Sequence, residues 1–206
     1  MSNTPTSEQG MIDQRLGDQI DPLRDDPDAA ARRRRLAELG LSRDQPQPRL
    51  DAFAAELARG AADLVGGSVP DAMVNLFVGD HQYFAGRHLT AGLNGEAAGA
   101  GLRQQHTSPD RVMGLDTGWC PHVVARRLPL VLDDVFSMVR FAANPAAANL
   151  DIRSYVGAPL LDPETGVALG TVCVIARDPR PYGRPGLEFI KDRATEATRL
   201  ITGYAP

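Results

Sequence analysis

The chain has 206 residues, 43% hydrophobic and 23% charged, with a formal net charge of -4. That length supports one well-buried domain with extensions, and the negative balance excludes a general nucleic-acid binder, which needs a basic surface. No segment approaches the run of about 20 apolar residues that spans a bilayer, and the opening MSNTPTSEQGMIDQRLGDQ holds no signal-peptide core. A cytoplasmic protein with neither membrane nor nucleic acid as partner is expected.

Residues 1–25 mix Ser, Thr, Gln and Asp without a helical or strand period and read as a mobile tail. Residues 26–47 read as a helix and connector: Asp26 suits an N-cap, Pro27 the first helical position, and Gly40 the stop. The consecutive arginines Arg32, Arg33, Arg34 and Arg35 point around the helix circumference with no aromatic interleaved, so they read as a solvated or dimer-facing surface. The domain proper is expected over 48–206. It opens with a stripe of Leu50, Phe53, Ala54, Leu57, Ala61 and Leu64 at helical spacing, ended by Gly66-Gly67. A second stripe, Leu187, Ile190, Ala194, Ala197 and Ile201, predicts a terminal helix packed beside the first on one face of a sheet. Apolar residues on the first and last helices beyond what one sheet face covers, Leu36, Leu39, Leu187, Ile190 and Ile201, predict a homodimer.

Between these helices, AMVNLFV at 72–78 is apolar on both faces apart from Asn75, as in a strand covered on both sides. Gly79-Asp80 turns it into a second strand over His81 to His88. Residues 92–118 are rich in Gly, Ala and Gln without a period, and a connection that long reads as a lid or as disorder. A helix carrying Trp119, Cys120 and His122 comes next, then a short strand at 129–133 and a polar loop at 133–151. Two apolar strands joined at Asp162-Pro163-Glu164-Thr165-Gly166 complete an α+β arrangement around an antiparallel sheet, with a loop and helix capping a pocket.

The central residues also resemble a family. Cys120 and His122, Pro129-Leu130-Val131-Leu132-Asp133, Arg140-Phe141-Ala142-Ala143-Asn144-Pro145, Gly157-Ala158-Pro159-Leu160 and Leu169-Gly170-Thr171-Val172-Cys173-Val174-Ile175 follow one another as do the corresponding motifs of small stand-alone bacterial sensory GAF domains. Asp80-His81-Gln82-Tyr83-Phe84 stands where that family has Asp-Arg-Gln-Trp-Phe. Gly118-Trp119 replaces the usual Ser-Phe, and Pro121 the usual Ala. The resemblance implies a GAF-like sandwich: a central antiparallel sheet, N- and C-terminal helices on one face, and a capped pocket on the other. It also implies a regulatory domain that binds a small molecule and signals through dimerisation or a separate protein. With the chain ending at Pro206, no output module is expected within it.

Candidate ligand-binding residues are Asn75, Tyr83, Trp119, Cys120, His122, Asp133, Arg140, Arg153, Tyr155, Thr171 and Cys173. Trp119 opens the capping helix after a Gly-rich stretch; it either closes over a ligand or fills the core. Arg140 and Arg153 flank the polar loop, where they offer guanidinium forks to an anion or pair with Asp133, Asp134 or Asp151. Asp133, Asp134 and Asp116 read as caps rather than cation ligands. Residues two apart on a helix do not face each other, so His122 is poorly placed to take the Cys120 proton, and both cysteines read as small buried residues rather than as a disulfide.

No enzymatic activity is expected. The alternatives are a thiol-dependent free methionine-(R)-sulfoxide reductase using Cys120, and a degenerate domain serving only dimerisation. The reductase branch of the GAF fold carries a Gly-Val-Cys-Gly-Thr-Ala helix, which Gly118-Trp119-Cys120 resembles, but it needs a loop cysteine where this chain has Phe141-Ala142-Ala143-Asn144-Pro145. Cys173, in the middle of an apolar strand, is expected to be a poor substitute. Residues 176–180 lack the Asn-Lys and Phe-Asp-Glu signature of cyclic-nucleotide binders, and Pro121 separates Cys120 from His122, unlike a bilin-attaching Cys-His pair. The spread of His81, His88, His106 and His122 selects neither a haem ligand nor a zinc spacing, so the cofactor is left unassigned.

Overall fold

The hairpin that organises the sheet is built where two uninterrupted apolar runs meet at a polar turn. In the computed structural model, which describes residues 26–90 and 111–203, these runs are β5 (Ser154–Leu161) and β6 (Ala168–Ala176). Their turn is closed by Asp162, whose carboxylate accepts from the Thr165 backbone N–H at 3.0 Å and its hydroxyl at 2.6 Å. Gly166 takes φ 69°, a left-handed conformation that suits glycine. The first strand pair is β1 (Asp71–Val78) and β2 (His81–His88). With β3 (Val112–Gly114) and β4 (Leu130–Leu132) they form a six-stranded sheet in the order β3-β2-β1-β6-β5-β4, antiparallel throughout. β3, too short to show a period, lies within the 92–118 stretch expected as a lid or disorder; the rest of that stretch up to residue 110, like the predicted tail 1–25, lies outside the described residues.

Strands alternate their side chains between two faces, and each face has its own core. On one, α1 (Ala29–Glu38), α2 (Pro48–Val65) and α6 (Gly183–Thr202) cover Ala72, Val74, Leu76, Val156, Ala158, Val172 and Val174. The predicted stripes supply the helices' share: Leu50, Phe53, Leu57 and Ala61 of α2, and Ile190, Ala194, Ala197 and Ile201 of α6, are buried, while Leu64 at the end of its stripe is exposed. Close approach of α2 depends on Gly86, where a Cβ would lie 2.3 Å from the Leu50 carbonyl oxygen. The pairing of β1 with β2 slips beside it, from Val74 opposite Gly86 to Asn75 opposite Phe84. Ala85 is the extra residue of this bulge, and its carbonyl accepts the Gln47 N–H that leads into α2.

Of the four α1 arginines expected on a solvated or dimer-facing surface, Arg33 and Arg34 are exposed, but Arg32 and Arg35 are drawn inward. Arg32 is buried over Phe77, donating to the Ala168 carbonyl and pairing with Asp26, and Arg35 pairs with Asp162 and Glu164 of the hairpin turn. They fasten the helix across the end of β6 because the polar turn beneath offers carboxylates and a free carbonyl. Leu36, Ile190 and Ile201, from which the dimer was argued, are buried within the same chain, and Leu39 and Leu187 are half-buried. No helix among the described residues is long and apolar enough to cross a membrane.

Candidate functional site

The other face of the sheet is covered by α3 (Cys120–Arg126), a 3-10 turn (Val135–Ser137) and two short helices, α4 (Val139–Ala142) and α5 (Pro145–Asn149). Pro121 sits in the first turn of α3, where its missing N–H leaves no intrahelical bond unmade. The segment that delivers α3 is held from two sides. Gln82, buried in β2, donates to the Gly114 carbonyl at 2.7 Å and the Thr117 carbonyl at 2.9 Å. Asn144 accepts the Gly118 N–H at 2.9 Å and donates back to the Gly118 carbonyl at 2.8 Å, while its side-chain oxygen also caps α5 through the Ala146 N–H. Neither residue was singled out from the sequence, although both lie in the motifs that carry the family resemblance.

Under α3 these supports place a polar cluster inside an apolar layer. Asn75 of β1 and Thr171 of β6 are paired in register, and Cys173 lies two residues further along the same face. The Asn75 amide donates to Cys120 Sγ at 3.2 Å and faces Cys173 Sγ at 3.9 Å; Tyr155 OH is 3.4 Å from Cys120 Sγ; the two sulfurs are 3.7 Å apart. Both cysteines are free thiols. The strand position of Cys173, taken from the sequence as making it a poor substitute for a loop cysteine, is what aims it there: with Ile175 it faces the core beneath α3. Asn75 Oδ1 is buried with no hydrogen-bond partner among the described residues. Gly157 leaves space for the tyrosine, since a Cβ there would sit 2.2 Å from Tyr155 OH.

The cluster sets the acidity of its members. Cys120 is lowered to about 7, chiefly because the Cys173 S–H donates to its thiolate, with Thr171, Tyr155 and Asn75 adding to the effect against the opposing cost of burial. Cys173 is pushed well above the ordinary thiol range by that same bond and by burial. Burial, and then the nearby sulfur charges, push Tyr155 well above the ordinary phenol range.

The remaining predicted site residues divide among several places. Trp119 is buried against Tyr155, ring centroids 5.4 Å apart, with its indole N–H 3.4 Å from the Phe141 carbonyl. His122 turns away from Cys120 and meets the Phe141 ring edge-on at 5.7 Å; burial and the charges of Arg140 and Arg126 lower its pKa. Arg153 pairs with Asp134 and lies over Phe136, Arg140 lies over Phe141, and both Asp134 and Asp133 cap: the former accepts the Phe136 N–H, the latter the Gly183 N–H at the start of α6. Tyr83 belongs to the helix-side core and so faces away from this cluster. Among the described residues no group of three or more His, Cys, Asp or Glu is arranged to hold a metal ion. A surface groove of about 440 Å³ lies on the helix side, between α6 and β5, and is lined by Arg127, Pro159, Lys191, Thr195 and Arg199 among others.

The GAF domain family model matches residues 49–200, and the chain belongs to this family, whose fold commonly serves sensing and ligand binding. No curated protein matches the chain significantly by sequence. Among solved structures it is similar to the type II free methionine-R-sulfoxide reductase of Thermoplasma acidophilum, with TM-score 0.52 and 11% identity over 81% of this chain and 96% of that one. It is similar as well to the GAF domain of an Acinetobacter phosphoenolpyruvate-protein phosphotransferase, with TM-score 0.52 and 13% identity over 85% and 93% of the two chains. Residues 122 to 287 of a methyl-accepting chemotaxis protein give TM-score 0.50 and 21% identity over 81% and 94%. At these identities the likeness establishes the fold alone.

Proposed function

We propose that the chain is a cytoplasmic sensory GAF domain that binds a small molecule at the polar cluster beneath α3 and signals by associating with a second copy or a separate protein. The observation that carries this reading is Asn75: a buried amide at the centre of the sheet, its donor side engaged by sulfur and its oxygen without a partner. A buried polar atom left unsatisfied costs about 1–3 kcal/mol, and a ligand donor reaching Asn75 Oδ1 recovers that cost. Entry requires Trp119 and α3 to move as a unit about Gly118, at φ 81°, with the Asn144 hydrogen bonds that clamp it released. Two free thiols in the cluster suit a reducing compartment.

Native mass spectrometry of the purified full chain tests this reading, with ligand screening followed by Trp119 fluorescence. A small molecule retained by the wild type, quenching or shifting the Trp119 emission and bound at least tenfold more weakly by Asn75→Ala, supports it. A ligand shown by calorimetry to bind equally well to Asn75→Ala places the site elsewhere. Light scattering at tens of micromolar, with and without ligand, reads the association; a monomer under both conditions leaves the separate protein as the receiver.

One observation favours a second, enzymatic reading: Cys120 and Cys173 are in contact, so a second thiol is at hand despite the missing loop cysteine. Turnover of free methionine-R-sulfoxide with a dithiol reductant, abolished by Cys120→Ala, would establish it and displace the sensor reading.

A further inference from the structure

We propose that Cys120 and Cys173 are a redox couple, which a small peroxide converts into an intramolecular disulfide tying α3 to β6. The two sulfurs come from positions 53 residues apart and meet at 3.7 Å on one buried face. A disulfide needs about 2.05 Å, so closure requires a movement of about 1.7 Å, within reach of side-chain rotation and a small shift of α3. That shift falls on Cys120. Cys173 is fixed in β6 between two hydrogen-bonded neighbours, β1 and β5, whereas Cys120 opens a seven-residue helix that follows the glycine joint at Gly118.

The neighbours suit each thiol to a different step. Asn75 and Tyr155 offer an N–H and an O–H to Cys120 Sγ, donors that favour its thiolate, the nucleophilic form. Cys120 is 5% exposed and Cys173 1%, so a peroxide meets Cys120 first. The Cys120 thiolate attacks one peroxide oxygen; the O–O bond breaks, the departing hydroxide takes a proton to become water, and Cys120 becomes a sulfenic acid. Cys173 sulfur then attacks Cys120 sulfur; the S–O bond breaks, and the Cys173 proton leaves with the hydroxide as a second water. Two thiols and one peroxide give one disulfide and two waters, with two electrons passing from sulfur to oxygen. A reducing thiol returns the couple by exchange. The new bond removes the thiol to which Asn75 donates, and the adjoining Trp119 reports the change. The couple rests on the contact of the two thiols and is independent of which molecule the site binds.

The experiment treats the native full chain with stoichiometric hydrogen peroxide, then unfolds and alkylates it for intact mass and peptide mapping. Expected is the loss of both alkylatable thiols, a mass lower by two hydrogens, a cross-linked peptide pair containing Cys120 and Cys173, and full reversal by dithiothreitol. Cys173→Ala, checked for its fold by circular dichroism, is expected to stop at a dimedone-reactive sulfenic acid on Cys120. Wild-type protein in which both thiols survive peroxide, or in which Cys120 proceeds to sulfinic acid while Cys173 stays free, would overturn the proposal. So would a disulfide formed only between chains. The wild-type map decides the matter even where the variant fails to fold.

Discussion

Replacing Asn144 by alanine tests whether the loop before α5 holds the start of α3. The side chain makes three hydrogen bonds, two with Gly118 at 2.9 and 2.8 Å and one with the Ala146 N–H at 3.0 Å. An intramolecular hydrogen bond contributes about 1 kcal/mol net, and loss of an N-cap costs about 1 kcal/mol. Asn144→Ala is therefore expected to lower the unfolding free energy by about 2–3 kcal/mol. Asn144→Ser separates the parts: its hydroxyl still caps α5 but cannot span to both polar groups of Gly118, so about 1 kcal/mol should return. Urea unfolding followed by circular dichroism gives the magnitudes. The emission of Trp119, the residue next to Gly118, is expected to move to longer wavelength in both variants before unfolding begins. A loss below about 1 kcal/mol for Asn144→Ala, or a serine variant indistinguishable from wild type in stability and emission, would refute the reasoning.

Thiolate absorbance of Cys120 is expected to rise with pH around a midpoint of about 7, and Cys173→Ala, which removes the largest cause of the shift, should move that midpoint toward 9.0. With its folded-state pKa below the unfolded one, Cys120 contributes stability that grows as pH rises from about 7 toward the ordinary thiol range and is lost as pH falls through about 7, while Cys173, raised by the same bond, takes stability away above that range. His122, lowered by burial and by the charges of Arg140 and Arg126, should lose stability as pH falls below its ordinary 6.5, and Arg140→Ala should raise its NMR-measured pKa. Gly157→Ala drives a Cβ into Tyr155 OH and should cost about 1–3 kcal/mol in urea unfolding. Arg32→Ala removes the guanidinium from the Ala168 carbonyl and from Asp26, which keeps only the Asp28 N–H, and should release α1, read as increased amide exchange over 29–38 and a stability loss of about 1.5–3 kcal/mol.

Local periodicity was enough for the long helices and strands but not for the short helical turns within 133–151, because spacing along an element decides which side chains share a face only where the element is long enough to show a period. The stripes beginning at Leu50 and at Leu187 and the doubly apolar runs of β1, β5 and β6 therefore emerged from the residues, as did the turn at 162–166. The motifs around Cys120, Asn144 and Cys173 named the family. Three residues, Val112 to Gly114, are too few to show a period, and β3 exists because β2 has a free edge for it. The fate of Arg32 and Arg35 was equally hidden, since each turns inward only where the distant 162–168 stretch brings a carboxylate or carbonyl to receive it. Meeting of Cys120 and Cys173 was a matter of register. Pairing β1 with β6 puts Asn75 opposite Thr171 and sets Cys173 on the face that α3 covers, while the register of the first hairpin pairs Tyr83 with Leu76 on the opposite one. Alternation fixes faces only within a strand; the hydrogen bonds between strands decide which faces coincide, and they form only when the whole sheet assembles.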